Sequence, residues 1–223
     1  MLDFDKNFDE LENSLDKDIA WRAKELINLK NEIDSKFELN NQEVSFLIRG
    51  SIALIYAHWE GSIKSQLSHY VKFLNNLLKG KYLKLENYDD EILDLLFQPT
   101  IKILGHNTKE KRLKGIKNFK KLYYDNDIVT IDSHEVVNTK SNLSFEILIE
   151  LFEKFKIQQL NNIDSKFIEQ LLKDRNAIAH GERRYTEIDR NTKEKIENNS
   201  EKIELLIREV KINILKKAES YRK

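Results

Sequence analysis

Residues 46–74 read FLIRGSIALIYAHWEGSIKSQLSHYVKFL and hold the most sustained pattern in the chain. Phe46, Ile48, Ile52, Ile55, Trp59, Ile63, Leu67, Tyr70, Val71 and Leu74 recur every three or four positions, with polar residues in the gaps. That rhythm puts the apolar side chains on one stripe of an α-helix. The helix is expected to open near Asn40-Asn41, whose side chains accept hydrogen bonds from first-turn amides, and to close near Gly80. The longest unbroken apolar run, Ile52 to Ala57, has six residues, against the roughly 20 that cross a bilayer.

The same period extends outward. Phe8, Leu11, Leu15, Ile19, Ala23, Leu26 and Ile27 predict a first helix ending at about Phe37. Beyond Gly80, Asp89 to Phe97 predicts a short helix closed by Pro99, and Thr108 to Tyr123 another, interrupted by Gly115. Asp125 to Asn138 alternates Ile128, Val129, Ile131, Val136 and Val137 with Asp and Asn, which fits an extended connection or one short hairpin. Ser141 or Asn142 is expected to cap a helix carrying Phe145, Ile149, Phe152 and Phe155, and Asp164 or Ser165 one carrying Phe167, Ile168, Leu171 and Leu172. A last helix, from about Thr192 to Tyr221, aligns Ile196, Ile203, Leu206, Ile207, Val210 and Ile214. No repeat, low-complexity linker or composition shift divides the chain. One domain over 1–223 is expected, with an irregular insertion at about 81–140.

Composition agrees with an all-α antiparallel bundle of long helices. One proline and six glycines among 223 residues are too few to punctuate many short strands. With 40% hydrophobic residues the chain can fill a core. The absence of cysteine excludes disulfides, thiolate metal sites and a Cys nucleophile. The first residues lack the basic-then-apolar plan of a secretion signal, so a soluble cytoplasmic protein without a membrane partner is expected.

Lys and Arg total 38, as do Asp and Glu, so any field that attracts phosphate must be local. It exists between Lys102 and Lys121, where Lys102, Lys109, Lys111, Arg112, Lys114, Lys117, Lys120 and Lys121 face only Glu110. Lys109, Lys111, Arg112, Lys114 and Lys117 are candidate RNA-binding residues, with Phe119, Tyr123 and Tyr124 as stacking partners for bases. A solvated lysine face is the alternative.

The five histidines include no i, i+4 pair able to grip one ion from a helix face. His58 and His69, eleven apart, read as surface or interface residues, and no metal site or cofactor is expected. Phosphate-cradling glycine loops and Gly-x-Ser-x-Gly elbows are absent.

The segment Leu171-Leu172-Lys173-Asp174-Arg175-Asn176-Ala177-Ile178-Ala179-His180-Gly181-Glu182 differs from the rest. It sets a guanidinium and an imidazole near the end of a helix expected to be largely buried. A guanidinium forks onto phosphate oxygens, and an imidazole exchanges protons near neutral pH. Metal-free phosphodiester cleavage needs both capacities. The bare spacing is weak, since nine arginines and five histidines give about 0.6 such occurrences by chance. Gly181 suits a left-handed residue ending that helix.

The fuller string Arg175-Asn176-x-Ile178-Ala179-His180-Gly181 resembles the motif of the HEPN superfamily, an all-helical group containing many ribonucleases. Arg49-Gly50 with Tyr56-Ala57-x-Trp59-Glu60-Gly61 resembles the upstream motif of its RiboL-PSP-HEPN branch. The resemblance implies a homodimer in which the Arg and His of both protomers meet at one cleft. It also implies RNA cleavage without metal, by attack of the neighbouring 2′-hydroxyl, in a toxin-like or antiviral role compatible with an antitoxin or regulatory partner.

Geometry adds a separate expectation. Five residues turn a helix by about 140°, too divergent for one compact Arg175–His180 site, and a twofold axis would supply the missing partner. Asn176 is then expected to position Arg175 or the scissile phosphate. Arg49, Tyr56 and Glu60 fall within about 40° on a helix, where Glu60 would orient Arg175 or His180, or form a structural salt bridge. The rival expectation is a catalytically silent helical module for dimerisation or for binding a partner or nucleotide, with Arg175 and His180 bonding between helices.

Overall fold

The computed structural model describes residues 4–36, 41–80, 87–124, 130–161, 163–182 and 190–222, the side chains of 41–43, 99, 121–124 and 190 excepted. Among them are eight α-helices: α1 (Phe4–Lys36), α2 (Asn41–Lys79), α3 (Asp90–Leu104), α4 (Lys109–Tyr124), α5 (Ser133–Val136), α6 (Phe145–Lys154), α7 (Ser165–Ala179) and α8 (Arg190–Glu219). No strand occurs among the described residues. The chain is all-α, as its patterning predicts. Among the described residues no helix is long and apolar enough to cross a membrane.

The centre of the bundle is α2, which packs against α1, α7 and α8. Ile48, Ile55, Trp59, Ile63, Leu67, Tyr70 and Leu74, all on the predicted stripe, have essentially no exposed surface. Phe46 departs from it and is 75% exposed. The three-or-four spacing tolerates Phe46, but near the start of α2 none of the described residues covers it.

Polar residues also lie inside. Between α1 and α2, Arg22 donates from Nε to Asp18 at 2.9 Å and from NH2 to the other Asp18 oxygen at 3.0 Å. Gly61 admits this guanidinium, because a Cβ there would stand 3.1 Å from the Arg22 NH1 atom. His58, expected at a surface or interface, is 2% exposed and sits 3.0 Å from Glu25. Burial pushes its pKa below the ordinary value, and the Glu25 carboxylate only partly opposes that.

The middle is more regular than the sequence suggests. α3 is not closed by Pro99 but runs through it to Leu104. A mid-helix proline costs about 3 kcal/mol, and packing outweighs it here: Thr100 is buried and Leu104 lies against α4. Gly115 does not interrupt α4. A Cβ there would come within 3.0 Å of Leu104, so the missing side chain lets the two helices close on each other. Of the expected extended or hairpin segment, 125–129 lie outside the described residues, and Ser133–Val136 is a helical turn capped by Asp132. Ser144, not Ser141 or Asn142, caps α6, accepting the Ile147 amide at 3.2 Å. Asp164 caps α7, accepting from Lys166 at 3.0 Å.

Candidate functional site

α7 ends at Ala179, His180 is its cap, and Gly181 follows at φ +72°. The Glu182 amide donates to the Ala177 carbonyl at 2.9 Å and the Gly181 amide to the Ile178 carbonyl at 3.1 Å. This pair of reversed bonds closes a helix through one left-handed residue, where glycine meets no Cβ penalty. The termination fixes His180 in the last turn with an exposed side chain. The helix is less buried than expected at this end: Arg175 to Ile178 are half-buried, while Asp174 is enclosed.

Arg175 lies five residues, about 1.4 turns, before His180. Its guanidinium stacks on the Tyr56 ring, with the central carbon 4.3 Å from the ring centroid. NH1 donates to Asn176 Oδ1 at 2.9 Å, and NH2 donates to the Ser141 carbonyl at 3.1 Å. The Glu60 carboxylate stands 3.5 Å from NH2. α2 therefore supplies the ring and the carboxylate from one turn of helix, and the connection before α6 supplies the carbonyl.

That connection is held at three points. Thr139 Oγ1 donates to Glu60 Oε1 at 2.5 Å, the Ser141 carbonyl accepts from Arg175, and the Leu143 amide donates to the Tyr56 hydroxyl at 2.6 Å. Between these points Lys140 and Ser141 take left-handed conformations, φ 52° and 61°. Such residues without glycine's freedom are disfavoured by roughly 1–2 kcal/mol each, and the three side-chain bonds hold them there. Lys64, one turn beyond Glu60, places Nζ 2.9 Å from Glu60 Oε1. One carboxylate thus carries Lys64 on one oxygen and Arg175 on the other.

The electrostatics follow from this packing. Burial alone would raise the Glu60 pKa, but the Thr139 hydroxyl, Lys64 and the Arg175 charge outweigh it and hold the carboxyl below its ordinary value. Tyr56 is pushed up to about 12 by burial and by the Glu60 charge. At neutral pH the site holds an ionised carboxylate, a neutral phenol and a guanidinium whose side chain is 23% exposed.

The structure therefore brings together Arg175, Asn176, Tyr56 and Glu60. Arg49 shares α2, but no hydrogen bond or ion pair joins it to Arg175 or Glu60, and among the described residues its buried Nε has no partner. The exposed Lys109, Lys111, Arg112, Lys114 and Lys117 lie on α4, which packs on α3 rather than on α2 or α7. There Lys111 meets His106 at 2.8 Å, Arg112 bonds the Asn107 carbonyl, and Phe119 is 43% exposed. The side chains of Lys121, Tyr123 and Tyr124 lie outside the described residues. Sequence reasoning missed Thr139, Ser141, Leu143 and Lys64. Only Lys64 left a signal, the Glu-Lys i, i+4 spacing on α2. Among the described residues no three potential ligands converge to hold a metal ion.

The family model described as RiboL-PSP-HEPN matches residues 17–216, which covers both α2 and the α7 motif. No curated protein and no solved structure matches the chain.

Proposed function

The chain belongs to the RiboL-PSP-HEPN family, and from that membership and the geometry at the end of α7 we propose that it is a metal-independent endoribonuclease acting as a homodimer. HEPN domains are often ribonucleases. The observation that carries the reading is the placement of Arg175: an orienting shell of Tyr56, Glu60, Asn176 and the Ser141 carbonyl holds a partly exposed guanidinium about 1.4 turns before an exposed imidazole.

In this reading the 2′-hydroxyl of a bound RNA attacks the adjacent phosphorus and gives its proton to His180 of one protomer. Arg175 stabilises the extra charge on the phosphorane, as fixed cationic donors do for developing oxyanions. The partner subunit's His180, protonated, gives its proton to the leaving 5′-oxygen as the phosphorus–oxygen bond breaks. The products are a 2′,3′-cyclic phosphate and a 5′-hydroxyl. Glu60, Tyr56 and Asn176 are positioning residues for Arg175, and Arg49 is a supporting residue on α2 that makes no hydrogen bond or ion pair with Arg175. A toxin-like or antiviral role, in the cytoplasm and under the control of an antitoxin or regulatory protein, fits such chemistry. The α4 cluster adds an RNA-tracking surface.

A second reading has one observation in its favour. Among Arg175's neighbours are a carbonyl, an amide oxygen, a carboxylate and an aromatic ring of the same chain, the surroundings of a purely structural arginine. A silent module for dimerisation, or for binding a partner or nucleotide, would look like this. RNA incubated with the purified protein and a chelator separates the two. Cleavage that leaves cyclic phosphate ends and disappears in Arg175→Ala and His180→Ala supports the enzyme; an inert dimer supports the module.

A further inference from the structure

α7 and α8 both lie against α2, and between them a groove of about 400 Å3 stays open. Its α7 wall is Phe167, Gln170 and Asp174, three positions on one helix face; its α8 wall is Lys195, Asn199 and Lys202, again on one face. Ligand sites span roughly 300–1,000 Å3, so this space suits a single nucleotide. Asp174 directly precedes Arg175 on α7, about 100° round the same helix, so the groove and the candidate active site are carried by neighbouring faces of one element.

We propose that this groove binds a nucleotide flanking the scissile phosphate of single-stranded RNA, its base on Phe167 and its backbone phosphates on Lys195 and Lys202. The proposal rests on the ribonuclease reading and adds the route of the strand. Three features of the walls carry it. Lys202 Nζ already lies over the Phe167 ring, 4.2 Å from the centroid, so a ring face is open toward the groove and attracts a polarisable or cationic group. Both lysines are loosely tethered: Lys195 stands 3.6 Å from Asp174, and Lys202 stands 3.9 Å from Asp164. Their side chains are 52% and 38% exposed. A phosphate that offers closer contacts can draw each amine away, and the Lys202 ammonium then vacates the ring for a base. Gln170, whose amide nitrogen donates to Asp174 at 2.7 Å, and Asn199, whose amide both donates and accepts, line the space where the base edge would lie.

The route differs from the α4 cluster in a way that an experiment can read. α4 is denser in positive charge but packs on α3. The α7–α8 groove has fewer cations and is also lined by the carboxylates of Asp164 and Asp174, yet its aromatic ring, Phe167, stands on the helix that carries Arg175. Stacking on an aromatic face with phosphate pairing beside it is how single strands are held without sequence reading.

The test uses the full chain carrying His180→Ala, which spares the RNA, and a short fluorescein-labelled single-stranded RNA in chelator. Lys195→Gln with Lys202→Gln should weaken binding tenfold or more. It should also flatten the dependence of log affinity on log salt by about 1.4, at roughly 0.7 per lost phosphate contact. Phe167→Leu keeps apolar bulk but removes the π face; it should weaken binding about fivefold to a hundredfold and leave the salt slope unchanged. Both lysines are partly exposed, and their neutral replacements preserve the fold, as a thermal melt will verify. Normal RNA cleavage by the unsubstituted chain together with parental affinity in these variants overturns the groove alone. An unsubstituted chain that neither binds nor cuts RNA overturns the ribonuclease reading and the groove with it.

Discussion

The Arg175 guanidinium lies over the face of Tyr56, 4.3 Å from its centroid, while the hydroxyl of the same tyrosine accepts the Leu143 amide at 2.6 Å. One buried side chain of α2 therefore fixes both an arginine of α7 and the backbone of the connection that crosses it. The two roles use different parts of Tyr56 and can be separated by substitution.

Tyr56→Phe keeps the ring under Arg175 and deletes the acceptor of a buried amide. It should lower stability by about 1–3 kcal/mol, the cost of an unsatisfied buried group, and retain most RNA cleavage. Tyr56→Ala also removes the buried ring, at about 3–5 kcal/mol, and should abolish cleavage. Urea unfolding and a cleavage assay on both variants check this. Equal loss of activity in the two would show that the hydroxyl, not the ring, serves Arg175.

Glu60→Gln leaves an acceptor for Thr139 but removes the charge shared by Arg175 and Lys64. Cleavage should fall at least tenfold, with the fold and the dimer intact; unchanged activity would make Glu60 scaffolding. The same variant carries a pH signature. Because the folded carboxyl sits below its ordinary value of 4.5, its contribution to stability is complete above that pH and is lost as pH falls through the folded value. The acid side of the stability curve, measured by urea midpoint against pH, should be flatter in Glu60→Gln.

Much of this site was legible in residues 171–182, where the string from Arg175 to Gly181 marks a helix end that carries an arginine and an imidazole. The φ of +72° at Gly181 matches the expectation that a glycine after the last turn is left-handed. α2 was legible because its stripe faces α1, α7 and α8, so burial follows the period. The connection 139–143 was not legible. Its polar Lys140-Ser141-Asn142 run reads as a turn or cap, and nothing local indicates that its carbonyl and amide are held by side chains from α2 and α7. Those bonds span from 34 to 87 residues of chain. Pro99 misled for a related reason: a local breaker was overruled by the packing of Thr100 and Leu104.

Gly181→Ala forces an L-residue into the left-handed region. It should cost about 1–2 kcal/mol, seen as a lower melting temperature, and shift His180 enough to reduce cleavage. By contrast His180→Ala removes only an exposed side chain. Its stability should stay within about 0.5 kcal/mol of the parent while cleavage is lost. A large stability loss in His180→Ala would make the imidazole structural.

Lys114→Glu with Lys117→Glu reverses two exposed charges of α4. If α4 tracks RNA, affinity should fall steeply as salt rises in the parent and much less in the variant. Binding curves at two salt concentrations decide this, and unchanged affinity would remove α4 from the RNA path.

The central claim is that two protomers build one cleft, with each imidazole serving a different proton transfer. Wild-type and His180→Ala chains, co-refolded in equal amounts so that subunits exchange, test it in one measurement of RNA cleavage per total protein. Because mixed dimers then carry one imidazole and fail, activity should fall to about a quarter, following the square of the wild-type fraction. Activity of half, in proportion to the wild-type fraction, would mean that each chain cleaves alone and would contradict the shared site.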